Sequence, residues 1–159
     1  MKIRKISADE RNKVYGLFRK GFPGSNSELN VLQKLHQNNR VLHEWACIHT
    51  NKNIAYIAFS NAYNDKEVCG LHLIHLVVKP DFRGRGISDE LLSFALRQKV
   101  IQSSAIYVLG DSQFYTRFGF EPVSNPGCPF VVKGKQFLSI RNQTSSSFMI
   151  AYEPEYKCW

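Results

Sequence analysis

One stretch constrains this chain more than any other: Val78-Lys79-Pro80-Asp81-Phe82-Arg83-Gly84-Arg85-Gly86-Ile87-Ser88. It joins the apolar, β-branched run Val68–Val78 to an amphipathic segment, 87–101, through a loop with two glycines and two arginines. Proline cannot donate to a ladder, so the strand stops at Lys79-Pro80. The following segment reads as a helix. Ile87, Leu91 and Ala95 share a face, Leu92 and Leu96 widen it, Asp89 and Glu90 open it, and Arg97 and Lys99 close it. Glycines let backbone N–H groups turn inward and let a ligand approach closely. The helix start adds unpaired N–H groups and a positive dipole end. Strand, glycine loop and helix together make an anion site. The loop lacks the G-x-x-x-x-G-K-[ST] of a nucleotide P-loop, and Asp89 breaks a G-x-G-x-x-G dinucleotide fingerprint. The structural alternative is a plain strand-to-helix turn.

The rest of the chain supplies a frame for that loop. Lys2–Ile6 reads as a strand. A helix starts at Asp9 with Val14, Leu17 and Phe18 at helical spacing, and Gly21–Ser25 breaks it. Glu28–His36 reads as a second helix. Trp45–His49 and Ile54–Asn61 flank Thr50-Asn51-Lys52-Asn53 as a hairpin. Ala105–Leu109 reads as a buried strand, Ser112–Phe118 as a short helix closed by Gly119, and Phe148–Tyr152 as a closing strand, with 124–147 unassigned. Interleaved strands and helices over 159 residues predict one mixed α/β domain spanning residues 1–159.

Composition narrows the function classes. No run of about 18 apolar residues exists, so no membrane span is expected. MKIRKISADER lacks the apolar core of a signal peptide, which predicts a cytoplasmic location. Cys47, Cys69, Cys128 and Cys158 match no zinc or redox spacing and read as free thiols; no metal is expected. The net charge of +8 permits an acidic partner. Without a basic run, a zinc pattern or an aromatic RNA-binding motif, nucleic acid is not the expected one.

Two motifs in order carry a resemblance. RGRGIS at 83–88, preceded by LVVKP at 76–80, resembles motif A of the GCN5-related N-acetyltransferase (GNAT) family, [QR]-x-x-G-x-[GA]. GDSQFYTRFGFEPV at 110–123 resembles that family's second motif, a helix ending in F-Y-x-x-x-G-F. GFPG at 21–24, LGD at 109–111 and RFGFEP at 117–122 resemble its YhbS-like subfamily. Two departures stand out. Ser88 occupies the Gly/Ala position, where its hydroxyl would donate to phosphate, and Val108–Asp111 lacks the Asn that many members place there.

The resemblance implies a fold and a chemistry. The fold is a mostly antiparallel sheet splayed between the fourth and fifth strands, with helices on both faces. Arg83, Gly84, Arg85, Gly86, Ile87 and Ser88 would hold the pyrophosphate of acetyl-CoA, and CoA would be the product. Backbone groups of Leu76, Val77 and Val78 would pair with the pantetheine arm and polarise the thioester carbonyl. Tyr115 would protonate the departing thiolate. A primary amine, on a small molecule or a peptide, would attack the thioester directly. His75 is the first candidate for the base that deprotonates it, with His72 and Glu28 behind, and water as the alternative. Alternation puts His72 on the opposite strand face from His75 unless a bulge intervenes. The stretches 21–36 and 124–147 would shape the acceptor pocket. A homodimer is compatible with the resemblance. A non-catalytic acyl-CoA-binding or regulatory module on the same fold is the competing class.

Overall fold

A computed structural model describes residues 1–21 and 26–158. Seven strands form one sheet in the order β1-β2-β3-β4-β5-β7-β6. They are β1 (Lys2–Lys5), β2 (Leu42–His49), β3 (Lys52–Asn64), β4 (Glu67–Val78), β5 (Ile106–Gly110), β6 (Glu121–Pro122) and β7 (Gln136–Ile140). All neighbours run antiparallel except β4 and β5. Helices α1 (Arg11–Gly21) and α2 (Ser27–Gln37) cover one face, and α3 (Ile87–Leu96) covers the other; α4 (Lys99–Gln102) and α5 (Ser112–Tyr115) are single turns. The mixed, mostly antiparallel sheet with helices on both faces is the fold the resemblance implied.

Burial on both faces explains the apolar run of β3. Ile57 and Phe59 point to α3, packing with Leu91, Leu92 and Ala95. Tyr56 and Ala58 point the other way, to Val14, Leu17 and Phe18 of α1. Each fully buried Leu or Phe contributes about 1.5–3 kcal/mol. The entry to α1 is a single 3-10 turn (Ala8–Glu10) in which Ser7 and Glu10 cap one another reciprocally. The β2–β3 hairpin turns on two residues, Thr50 and Asn51, both at positive φ (46° and 62°), as a tight antiparallel loop demands.

Three elements differ from the sequence reading. The helix expected over 87–101 ends at Leu96, because Gln98 is extended (ψ 142°) before α4 begins. A continuous helix would lay Gln98 and Gln102 along the buried stripe; the break instead turns Ile101 into the core. Ser112–Phe118 is an α-turn followed by a 3-10 turn, Thr116–Phe118, closed by Gly119 at φ 93°. The segment 148–152 is no strand. It makes single bridges, Ala151 to Tyr63 and Met149 to Gly127. Strand β2 already occupies that edge of β3 as far as Ser60, leaving only its last residues free. The strand that flanks β5 is β7, inside the unassigned stretch. Beyond Gly21, the break read at Gly21–Ser25 lies outside the described residues.

Candidate functional site

Strands β4 and β5 separate soon after they meet. Their parallel ladder holds only Leu71 against Ile106 and His72 against Tyr107. Strand β3 keeps its side of β4 paired to Val78, while β7 holds the far side of β5 to Gly110. The β4 edge from Leu73 to Val78 therefore faces a wedge with no strand in it. A cavity of about 520 Å³ fills this wedge, walled by residues 73–77 on one side and Leu109 on the other. Its outer wall comes from Glu28, residues 129–132, Lys135, Tyr152 and Tyr156. Parts of 21–36 and of 124–147 thus meet across it.

Beyond Val78 the chain makes a 3-10 turn, Pro80–Phe82, and then the glycine loop. Gly84 and Gly86 sit at φ 77° and 76°, a region that favours glycine, and a Cβ on either would meet nothing within 4 Å. The loop thus keeps an open cradle. The backbone N–H groups of residues 84–88 find no acceptor among the described residues; the first to do so is Glu90, bonded to the Gly86 carbonyl at 3.1 Å. These orphan donors at the start of α3 suit a pyrophosphate. Asp89, in the same first turn, is turned to Arg117 by two hydrogen bonds (2.8 and 3.1 Å), which also lower its pKa.

The two loop arginines do different work. The Arg83 guanidinium donates to the carbonyls of Val78 and Gly21, both at 3.2 Å, tying the end of β4 to the end of α1. Arg85 lies over the Phe82 ring, 4.9 Å from its centroid. Neither guanidinium is gathered with the N–H groups of the cradle by these contacts, so the loop's anion-binding capacity rests first on backbone. Ile87 is buried in the core, and Ser88 is half-buried in the first turn of α3.

Tyr115 packs against Gly110 of β5 and is not among the residues that wall the cavity. Its ring lies so close over Gly110, the residue after cavity-lining Leu109, that a Cβ there would stand 2.5 Å from Cε2. Phe114 and Phe120 hold the ring edge-on at 4.9 and 5.5 Å. Burial, with the Asp111 carboxylate, raises the phenol's pKa and keeps its proton on.

The histidines share a face. Ala58 pairs with His75 and Phe59 with Leu73, so Ile74 is an extra residue in β4. This bulge reverses the alternation, and both His72 and His75 point to the α1–α2 side. His75 lines the cavity and packs edge-on against Phe18 at 4.9 Å, with Nε2 buried and without a partner among the described residues. Burial pushes its pKa down to about 3. His72 stacks on Tyr152 (3.6 Å between centroids) and donates from Nε2 to the Ala151 carbonyl; burial lowers its pKa to about 4.

Beneath them runs a polar chain that sequence reasoning missed. Tyr15 Oη lies 2.6 Å from His36 Nδ1, His36 Nε2 lies 2.8 Å from Glu44 Oε1, and Tyr56 Oη donates to the same oxygen. Burial alone would raise the Glu44 pKa, but the bonds from His36 and Tyr56 outweigh it and keep the carboxylate ionised. Its members come from four elements, so no local spacing announces it.

The model of the acetyltransferase (GNAT) domain matches residues 41–122. Two solved structures match over 98% of this chain. The Escherichia coli GNAT family N-acetyltransferase YhbS, in complex with CoA, is 21% identical with a TM-score of 0.87 and 91% of that chain covered. A GNAT family acetyltransferase from Brucella melitensis, in complex with acetyl-CoA, is 20% identical with a TM-score of 0.80 and 97% covered. An aminoglycoside 6'-N-acetyltransferase complexed with coenzyme A is 16% identical, with a TM-score of 0.63, over 87% of this chain and 94% of that one. No curated protein matches the sequence. Among the described residues no helix is long and apolar enough to cross a membrane.

Proposed function

We propose, from the premise that this chain belongs to the GNAT acetyltransferase family, that it moves an acetyl group from acetyl-CoA to a primary amine by direct attack on the thioester. The observation that carries this reading is the wedge between β4 and β5, whose β4 wall runs on through Val78 into the loop of unpaired N–H groups. Structural relatives hold CoA and acetyl-CoA, which supports this reading. Acetyl-CoA supplies an acyl group already activated as a thioester.

The chain's own residues then bind, orient and move protons. The N–H groups of residues 84–88 take the pyrophosphate. The open edge of β4, including Leu76, Val77 and Val78, pairs with the pantetheine arm and aims an N–H at the thioester carbonyl. Such a donor is worth about 3–4 kcal/mol where oxyanion charge develops. The amine forms its C–N bond as the C–S bond breaks, and Tyr115 gives its proton to the leaving thiolate.

The acceptor must shed a proton before it attacks. A lysine-like ammonium titrates near 10.4, so its deprotonation at neutral pH costs about 4–5 kcal/mol. Burial pushes the His75 pKa down to about 3, which makes the ring a poor acceptor for that proton at neutral pH. We therefore assign the proton to bulk solvent, lost before attack through the cavity that Glu28 helps to line, and give His75 the role of a neutral wall.

Thermal unfolding with acetyl-CoA, CoA and ATP tests the cofactor. Ligand at about 100 times its Kd stabilises by about 2.7 kcal/mol, a rise of roughly 5–10 °C for a domain this size. Acetyl-CoA and CoA should give that rise and ATP should not. No rise with acetyl-CoA would overturn the reading. A rise without thiol release across a panel of amines would leave a CoA-binding module instead of an enzyme.

A further inference from the structure

We infer that the depression between α1, the β2–β3 turn and the end of β4 is a second anion site, built for a phosphoryl group and separate from the cradle of residues 84–88. Its volume is about 270 Å³, and its walls include Lys13, Lys20, Lys52 and Lys79 with Gly16 and Asn53.

Four observations converge on an anion. The first is charge. Lys13 and Lys20 stand seven residues apart on one face of α1, Lys52 comes from the hairpin and Lys79 from the end of β4. No acidic side chain is in the walls, and none of the four ammonium groups is in an ion pair among the described residues. Lys79 alone has a ring near its charge, that of Phe82, 5.9 Å away. Lys13, Lys20 and Lys52 are exposed and Lys79 is half-buried.

The second is Gly16. Glycine inside a helix is less stable than alanine, so its presence calls for a reason. Packing supplies none, since a Cβ there would meet nothing within 4 Å. The missing side chain instead leaves the floor of the depression open.

The third is Asn53. It lines the depression, and its buried Nδ2 has no acceptor among the described residues. A buried amide without an acceptor is a deficit that a bound oxygen would fill. The fourth is chemical fit. Phosphoryl oxygens accept from several donors at once, and lysine is a compact charge well suited to them. Four cations also exceed what a single carboxylate would balance.

The phosphoryl group has two available sources. One is the 3′-phosphate of the cofactor, which rests on the function proposed above. Lys79 both walls the depression and directly precedes the loop, and Arg83 ties that loop to the end of α1. The other source is a separate phosphorylated metabolite.

Calorimetry at constant ionic strength separates the outcomes, using tripolyphosphate, acetyl-CoA and dephospho-acetyl-CoA as probes. The proteins are the wild type, Lys13→Gln/Lys20→Gln, and Gly16→Leu, which fills the floor without changing charge. A separate phosphate ligand is indicated if tripolyphosphate binds the acetyl-CoA-loaded wild type and at least tenfold more weakly to both variants. The cofactor's own phosphate is indicated if dephospho-acetyl-CoA binds the wild type at least tenfold more weakly than acetyl-CoA and both variants lose that difference. The proposal is overturned if Gly16→Leu matches the wild type with every probe, or if tripolyphosphate does not bind and the two cofactors bind alike. Failure here is distinguishable from failure of the acetyltransferase reading, because acetyl-CoA should still raise the Tm of Lys13→Gln/Lys20→Gln.

Discussion

Tyr115 enters any reaction protonated, since burial and Asp111 both disfavour its phenolate. Its hydroxyl is thus available for a thiolate that needs a proton. General acids of this kind contribute about 10²–10⁴-fold. Tyr115→Phe should therefore lower kcat at least about 100-fold while leaving acetyl-CoA affinity and Tm nearly unchanged, measured by thiol release and thermal unfolding. A kcat within threefold of wild type would remove Tyr115 from the mechanism. Gly110 belongs to the same unit. Gly110→Ala would press a Cβ into the Tyr115 ring, and overpacking of that kind costs about 1–3 kcal/mol. It should lower both Tm and kcat, unlike Tyr115→Phe. Arg83 illustrates how a motif residue can act through structure: its donors go to Val78 and Gly21, so it shapes the loop.

Strand β4 is the element on which the site is built. One edge faces the wedge, its bulge turns two histidines to one face, and its end launches the glycine loop. Both histidines have folded-state pKa values below the unfolded value near 6.5, at about 4 and about 3. As pH falls below 6.5 the unfolded chain takes up protons that the folded chain refuses, so stability falls with pH until it reaches the folded pKa values. The loss between pH 7.5 and 4.5 should be on the order of a few kcal/mol, read as a falling urea midpoint. His75→Asn should flatten part of that slope. Glu44 and Glu10, with lowered pKa values, act in a lower window: their contribution is present above the ordinary carboxylate range and is lost as pH falls further. A midpoint flat from pH 7.5 to 4.5 would contradict the burial assigned to both rings.

At the scale of the whole molecule, the sheet divides into a closed half and an open half. Strands β1 to β3 are paired without a gap from β1 through β2 to Ser60 of β3, and β3 is packed on both faces. The wedge interrupts pairing between β4 and β5, so backbone groups there exchange with solvent more readily. Acetyl-CoA should slow amide hydrogen exchange in residues 73–78 and 84–90 and leave β1 and β2 nearly unchanged. Protection spread evenly over the sheet would argue for global stabilisation without a bound arm in the wedge.

The amino-acid sequence by itself determined the helix faces of α1 and α3, the β2–β3 hairpin, the existence of strand β4, and the strand–glycine loop–helix unit at 76–96, because these depend on spacing within a few residues. The second motif singled out Tyr115 as the proposed proton donor. Tertiary structure alone decided the rest. Strand β7, five residues amid polar sequence, is specified by the edge of β5 that it covers. The segment 148–152 reads as apolar and extended, yet the edge of β3 beside it is already taken. The break before α4 answers to where Ile101 must go. The bulge at Ile74, the Tyr15–His36–Glu44–Tyr56 chain and the lysine depression all join residues distant in sequence. Local pattern records which side chains seek burial; long-range pairing and the desolvation of charge decide which of them meet.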